Sequence, residues 1–104
     1  GNIMNKPVCN LLMEKKKVEG SLDISILDRN TLMSLWGDEH LTDSGIATLF
    51  DVSTYRINKL RKDYGISMKS YVVETGRKAL LSLPFVKASD IEAYDKAAEI
   101  YMRG

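Results

Sequence analysis

Leu41-Thr-Asp-Ser-Gly-Ile-Ala-Thr-Leu-Phe-Asp-Val-Ser-Thr-Tyr-Arg-Ile-Asn-Lys-Leu-Arg-Lys-Asp-Tyr-Gly-Ile66 is the most densely organised stretch of the chain. Thr42 has the hydroxyl of an N-cap, and Ile46, Ala47, Leu49 and Phe50 follow as the apolar stripe of a short helix. Asp51, Val52 and Ser53 interrupt the pattern. Ser53 or Thr54 then caps a second helix, in which Ile57, Leu60 and Tyr64 fall at i, i+3 and i+7 and Gly65 ends the run. Two short helices joined by about three residues are expected at about 42–65.

Outward from this pair the chain also reads as helical. Pro7, Val8, Leu11 and Leu12 open a helix that ends in Lys15, Lys16, Lys17 and Gly20, cations and glycine standing where a helix C-terminus favours them. Leu22, Ile24 and Ile26 alternate with polar residues too briefly for a sheet, so an extended connector is expected. Asp28 caps a short helix with Leu32, Leu35 and Trp36 on one face and Gly37 as its end, Trp36 being read as core. After Ile66 a helix from Ser67 or Lys69 runs towards Pro84, weakened by Gly76. Ser89 with Glu92 has capping-box spacing for a last helix, whose Ile91, Tyr94, Ala98 and Tyr101 lie on one side. That side admits three readings: the domain's own core, a two-fold dimer contact through the C-terminal helix, or a docking face for another protein.

The expected fold is therefore all-α, a compact domain of five or six helices over residues 1–104. Helices within 7–36 and 67–103 would brace the pair at 42–65, and no β-wing follows it because no alternating strand pair is present. A chain of 104 residues buries roughly 60–70% of its unfolded surface and suits one domain. Cys9 is the only cysteine and His40 the only histidine, so neither a disulfide nor a zinc site is expected within the chain. A reducing, cytoplasmic setting fits that usage. No apolar run approaches the roughly 20 residues of a membrane span. Gly1 before Asn2-Ile3-Met4 reads as a tag-cleavage scar.

Net charge is +1, which alone speaks against nucleic acid. Its distribution says otherwise. Residues 1–53 carry five basic and eight acidic side chains, residues 54–87 eight and two, and residues 88–104 two and four, or −3, +6 and −2. The positive block begins at the second helix of the pair.

Residues 41–66 resemble the helix-turn-helix DNA-binding superfamily, in its homeodomain-like or sigma-region-like bacterial and phage group. Ala47 stands where such helices cross closely, and Ile46, Phe50, Val52, Ile57 and Leu60 supply the wedge between them. The family commonly has Gly at the position of Asp51, where the backbone turns left-handed; Asp tolerates that conformation better than most residues. The resemblance implies that the helix from Thr54 to Tyr64 enters the major groove of double-stranded DNA. Ser53, Thr54, Tyr55, Asn58, Lys59 and Lys62 would face the duplex. Asn58 would pair with adenine and Lys59 with guanine, while Thr42, Ser53, Arg56 and Arg61 would meet phosphates.

The implied activity is sequence-specific DNA binding in bacterial or phage transcription regulation, with no catalysis, cofactor, metal or small-molecule substrate. Two alternatives use the same helix: recognition of the kind made by a phage terminase small subunit or a recombinase accessory part, and a protein-interaction module on the same scaffold. Cys9 and His40 lack a third orienting group, so a nucleophile–base pair is not expected. Scattered methionines read as gap-fillers, and Asp38 and Glu39 as charges ahead of a helix N-terminus.

Overall fold

The computed structural model describes residues 5–104; the readings made for Gly1 and Met4 fall outside it. Its helices gather into two compact units, one ending at Ile66 and the other spanning Ser67–Gly104. Six α-helices and no strands are found among the described residues, and no β-wing follows the central pair. No helix among them is long and apolar enough to cross a membrane.

In the first unit α1 spans Pro7–Glu19, with proline in its first turn, Lys16 and Lys17 in its last, and Gly20 at φ 87° turning the chain out. The expected connector instead winds into a short 3₁₀ turn, Ile24–Ile26, because the Asp23 carboxylate accepts a bond from the Ser25 amide at 2.8 Å. Leu22 and Leu27, on either side of it, are buried. Helix α2 (Arg29–Met33) is capped by Asp28 at the Thr31 amide. It does not stop at Gly37 as read from the sequence. The backbone widens into a π-helical turn over Ser34–Asp38, closed by the Glu39 amide donating to the Ser34 carbonyl, and only His40, at φ 59°, reverses it.

Helix α3 (Asp43–Phe50) begins at Thr42, whose hydroxyl accepts from the Gly45 amide at 3.0 Å. Asp51 adopts the left-handed conformation at φ 55°, so the chain leaves α3 sharply and enters α4 (Thr54–Asp63) after three residues. Ile46, Ala47, Leu49 and Phe50 of α3 close over Ile57 of α4, together with Leu27, Leu32, Leu35 and Ile66. Trp36 packs on the edge of this core, as read.

The second unit is a pair of helices, α5 (Met68–Leu81) and α6 (Ala88–Arg103). Ser67 and Ser70 form a reciprocal capping box at the start of α5. The start of α6 lies earlier than the Ser89–Glu92 reading: the acidic partner is Asp90, accepting from the Lys87 amide at 2.9 Å. Gly76, expected to weaken α5, permits its contact with α6. A Cβ there would run into the Tyr94 hydroxyl, which donates to the Val73 carbonyl at 2.8 Å.

Candidate nucleic-acid interface

Helix α4 has two unlike faces, and its geometry follows from its cap. Ser53 accepts from the Arg56 amide at 3.1 Å, which fixes where the helix starts and therefore which way each later side chain points. Ile57 is fully buried, and Leu60 and Tyr64 pack behind it. On the far side Tyr55 is 73% exposed, with Arg56, Lys59 and Lys62 also in solvent. Thr42, Ser53 and Thr54 are exposed near the N-terminal ends of α3 and α4. Lys59 lies 3.7 Å from Asp63, so three exposed cations stand against one carboxylate along this face.

Arg61 and Asn58 depart from the sequence reading. Arg61, expected at a phosphate, is turned inward: its guanidinium forms a two-pronged pair with Asp43 at 3.0 and 2.8 Å, donates to the Ile66 carbonyl at 3.2 Å and lies over the Trp36 ring at 4.7 Å. Asn58, expected at a base edge, is half-buried and donates its amide to the same Asp43 carboxylate at 3.0 Å. The Arg61 hydrogen bonds, followed by that of Asn58, hold the Asp43 carboxyl below the usual carboxylate range, against the opposing effect of burial. The sequence held a signal for this. At about 100° per residue Arg61 falls within about 40° of Ile57, on the buried side.

Asp43 is the residue that sequence reasoning missed. It ties the first turn of α3 to the third turn of α4 and so holds the angle between them. Two further side chains act at the rear of the pair. Lys16 of α1 donates to the Thr48 and Leu49 carbonyls at 3.2 and 2.9 Å and meets Asp51, placing a cation on the C-terminal end of α3. Arg29 donates to the Tyr64 carbonyl at 2.9 Å and serves α4 in the same way. Glu39, read as a charge ahead of α3, is buried and accepts from the Val8 and Cys9 amides, both at 2.9 Å, so it caps α1. Burial, and secondly the Glu39 charge, push the Cys9 thiol up, which disfavours the thiolate.

No family model matches the chain, and neither a curated protein nor a solved structure was found to match it.

Proposed function

We propose that this protein binds double-stranded DNA, with the outer face of α4 in the major groove, as the resemblance of residues 41–66 to helix-turn-helix proteins implies. The observation that supports it most is the division of α4: Tyr55, Arg56, Lys59 and Lys62 are exposed on a helix whose other side is locked into the unit. The contact set is narrower than the sequence suggested. Tyr55, Lys59 and Lys62 reach for the groove, Thr42, Ser53, Thr54 and Arg56 stand at its phosphate walls, and Arg61 and Asn58 act from within by fixing the helix. The role is transcription regulation in the cytoplasm of a bacterium or of a phage host, with no catalytic step or cofactor assigned.

Fluorescence anisotropy with a random duplex tests this reading. Were Lys59 and Lys62 to neutralise phosphates along with Arg56, the salt slope would be about −2.7, which sets an upper value of about 40-fold for the affinity lost through these three exposed cations between about 50 and 200 mM salt. Four to six phosphate contacts would instead cost about two to three orders of magnitude. Lys59→Ala with Lys62→Ala should abolish binding and leave stability within about 0.5 kcal/mol, since both side chains are exposed. Absence of binding at the lower salt concentration would overturn the proposal and turn attention to a protein partner for the same face.

A further inference from the structure

The first unit holds a cavity that neither its core nor the outer face of α4 uses. It is a groove of about 440 Å³ between α1 and α3, a size that suits a small molecule. Helix periodicity explains its walls. Cys9, Met13, Lys16 and Lys17 fall at i, i+4, i+7 and i+8 on one face of α1, and Gly45, Thr48 and Leu49 at i, i+3 and i+4 on one face of α3.

The groove is kept open by a glycine that the backbone does not require. Gly45 lies outside the left-handed conformation taken by Gly20 and Gly65. A Cβ there would meet only the Thr42 hydroxyl, at 3.4 Å, whereas one at Gly76 would run into Tyr94. Alanine would serve α3 better as a helix former, so what glycine contributes is space. Met13, 48% exposed beside that space, is an apolar side chain that the core leaves uncovered.

The groove is apolar at one end and cationic at the other. Cys9, Met13 and Leu49 line it, and burial pushes the Cys9 thiol up, so it stays neutral. Lys16 and Lys17 stand about 10–12 Å further along the axis of α1 than Cys9. None of the described lining residues carries a carboxylate. The Lys16 ammonium is committed to the Thr48 and Leu49 carbonyls and to Asp51. Lys17 meets only the Glu14 carboxylate among the described residues, at 3.3 Å, and both side chains are about 70% exposed. An exposed pair of that kind is worth little, which leaves the Lys17 ammonium able to turn to a ligand. An apolar wall ending in one available cation complements a hydrocarbon body ending in one anion. We propose that the α1–α3 groove binds a small amphiphilic carboxylate, its hydrocarbon body against Cys9, Met13 and Gly45 and its carboxylate at Lys17. The inference stands apart from the DNA reading, which concerns the outer face of α4.

An amide-shift titration of the full chain with octanoate tests it, with octylammonium as the probe of opposite charge. Octanoate should saturate with a dissociation constant of about 1 mM or tighter and move the amides of Cys9, Met13, Gly45 and Thr48. Octylammonium should bind about 10-fold more weakly, because it exchanges attraction at Lys17 for repulsion. Lys17→Met, at an exposed position, should remove that preference. Gly45→Leu suits the helix and fills the groove; it should weaken octanoate binding by at least about 10-fold while the amide pattern of α4 is retained. Octanoate shifts that never saturate, shifts centred on α5 and α6 instead, equal or tighter binding of octylammonium, a preference that survives Lys17→Met, or an affinity unchanged by Gly45→Leu would each overturn the proposal.

Discussion

Among the described residues up to Ile66, eleven apolar side chains are buried and three long charged ones cross the chain to finish helix ends; from Ser67 onward one serine is buried and each helix N-terminus is closed by its own first turn. The contrast arises from geometry more than from composition. Two helices cover each other along one face only, whereas α1, α2, α3 and α4 converge from several directions and enclose a volume. Enclosure also places helix ends near distant side chains. Glu39 closes the N-terminus of α1 from a distance, as local residues do for α3, α4, α5 and α6, and Lys16 and Arg29 add distant donors at the C-terminal carbonyls of α3 and α4.

The sharpest test of this contrast is Arg61→Ala. It leaves Asp43 half-desolvated without its main partner, and its cost should be about 3 kcal/mol, at the lower end for a broken buried pair because both side chains keep some solvent contact. The loss should also depend on pH. The Asp43 carboxyl has a folded pKa below its unfolded one, so its stabilisation is complete above the ordinary carboxylate range near pH ~4 and is lost as pH falls through the folded value. Denaturant unfolding between about pH 2 and 7 should show that acid-side loss in the unaltered protein and a flatter profile in Arg61→Ala. Equal stability of the two at neutral pH would mean that the pair does not hold α3 to α4.

Glu39→Gln should cost less, about 1–3 kcal/mol, because the amide keeps one acceptor oxygen but turns an N–H₂ group towards a buried backbone donor. Faster amide exchange at Val8 and Cys9 would place that loss at the start of α1. Unchanged exchange would show that the long-range cap is dispensable, removing one of the differences between the units.

The smallest effect belongs to the second unit. Gly76→Ala gains about 1 kcal/mol of helix propensity but meets the Tyr94 hydroxyl, an overpacking cost of about 1–3 kcal/mol with a hydrogen bond of about 1 kcal/mol at risk. A net loss on the order of 1 kcal/mol is expected in thermal unfolding of α5 and α6. Adding Tyr94→Phe removes the obstructing oxygen and should recover part of it. Destabilisation that the second substitution does not touch would put the strain elsewhere in the hairpin.

Much of the fold was legible in single residues. Pro7, Gly20, Asp28, Thr42, Ser53, Ser67 and Gly65 act where their local chemistry said they would, and Asp51 takes the left-handed turn expected of it. The readings that slipped concern choices that neighbouring elements settle. The π-helical turn carries the chain past Gly37, and Asp90 takes the capping-box role that sequence spacing had given to Glu92. Of the candidate contact residues, Tyr55, Arg56, Lys59 and Lys62 lie on the outer side of α4 and Thr42, Ser53 and Thr54 are exposed near the helix starts, because periodicity and caps are properties of consecutive residues.

By itself, then, the sequence determined that the chain is helical, where its central turn reverses and which helix presents an exposed basic face, since each of these depends on residues within about one helical turn. Tertiary structure alone decided which charges remain available. Arg61 and Asn58 are drawn inward to an aspartate more than a dozen positions earlier, and Lys16, Arg29 and Glu39 are spent on helix ends remote in the chain. The reason is physical: a charge seeks the nearest opposite charge or unsatisfied helix end, and which of these is nearest exists only once the helices have packed.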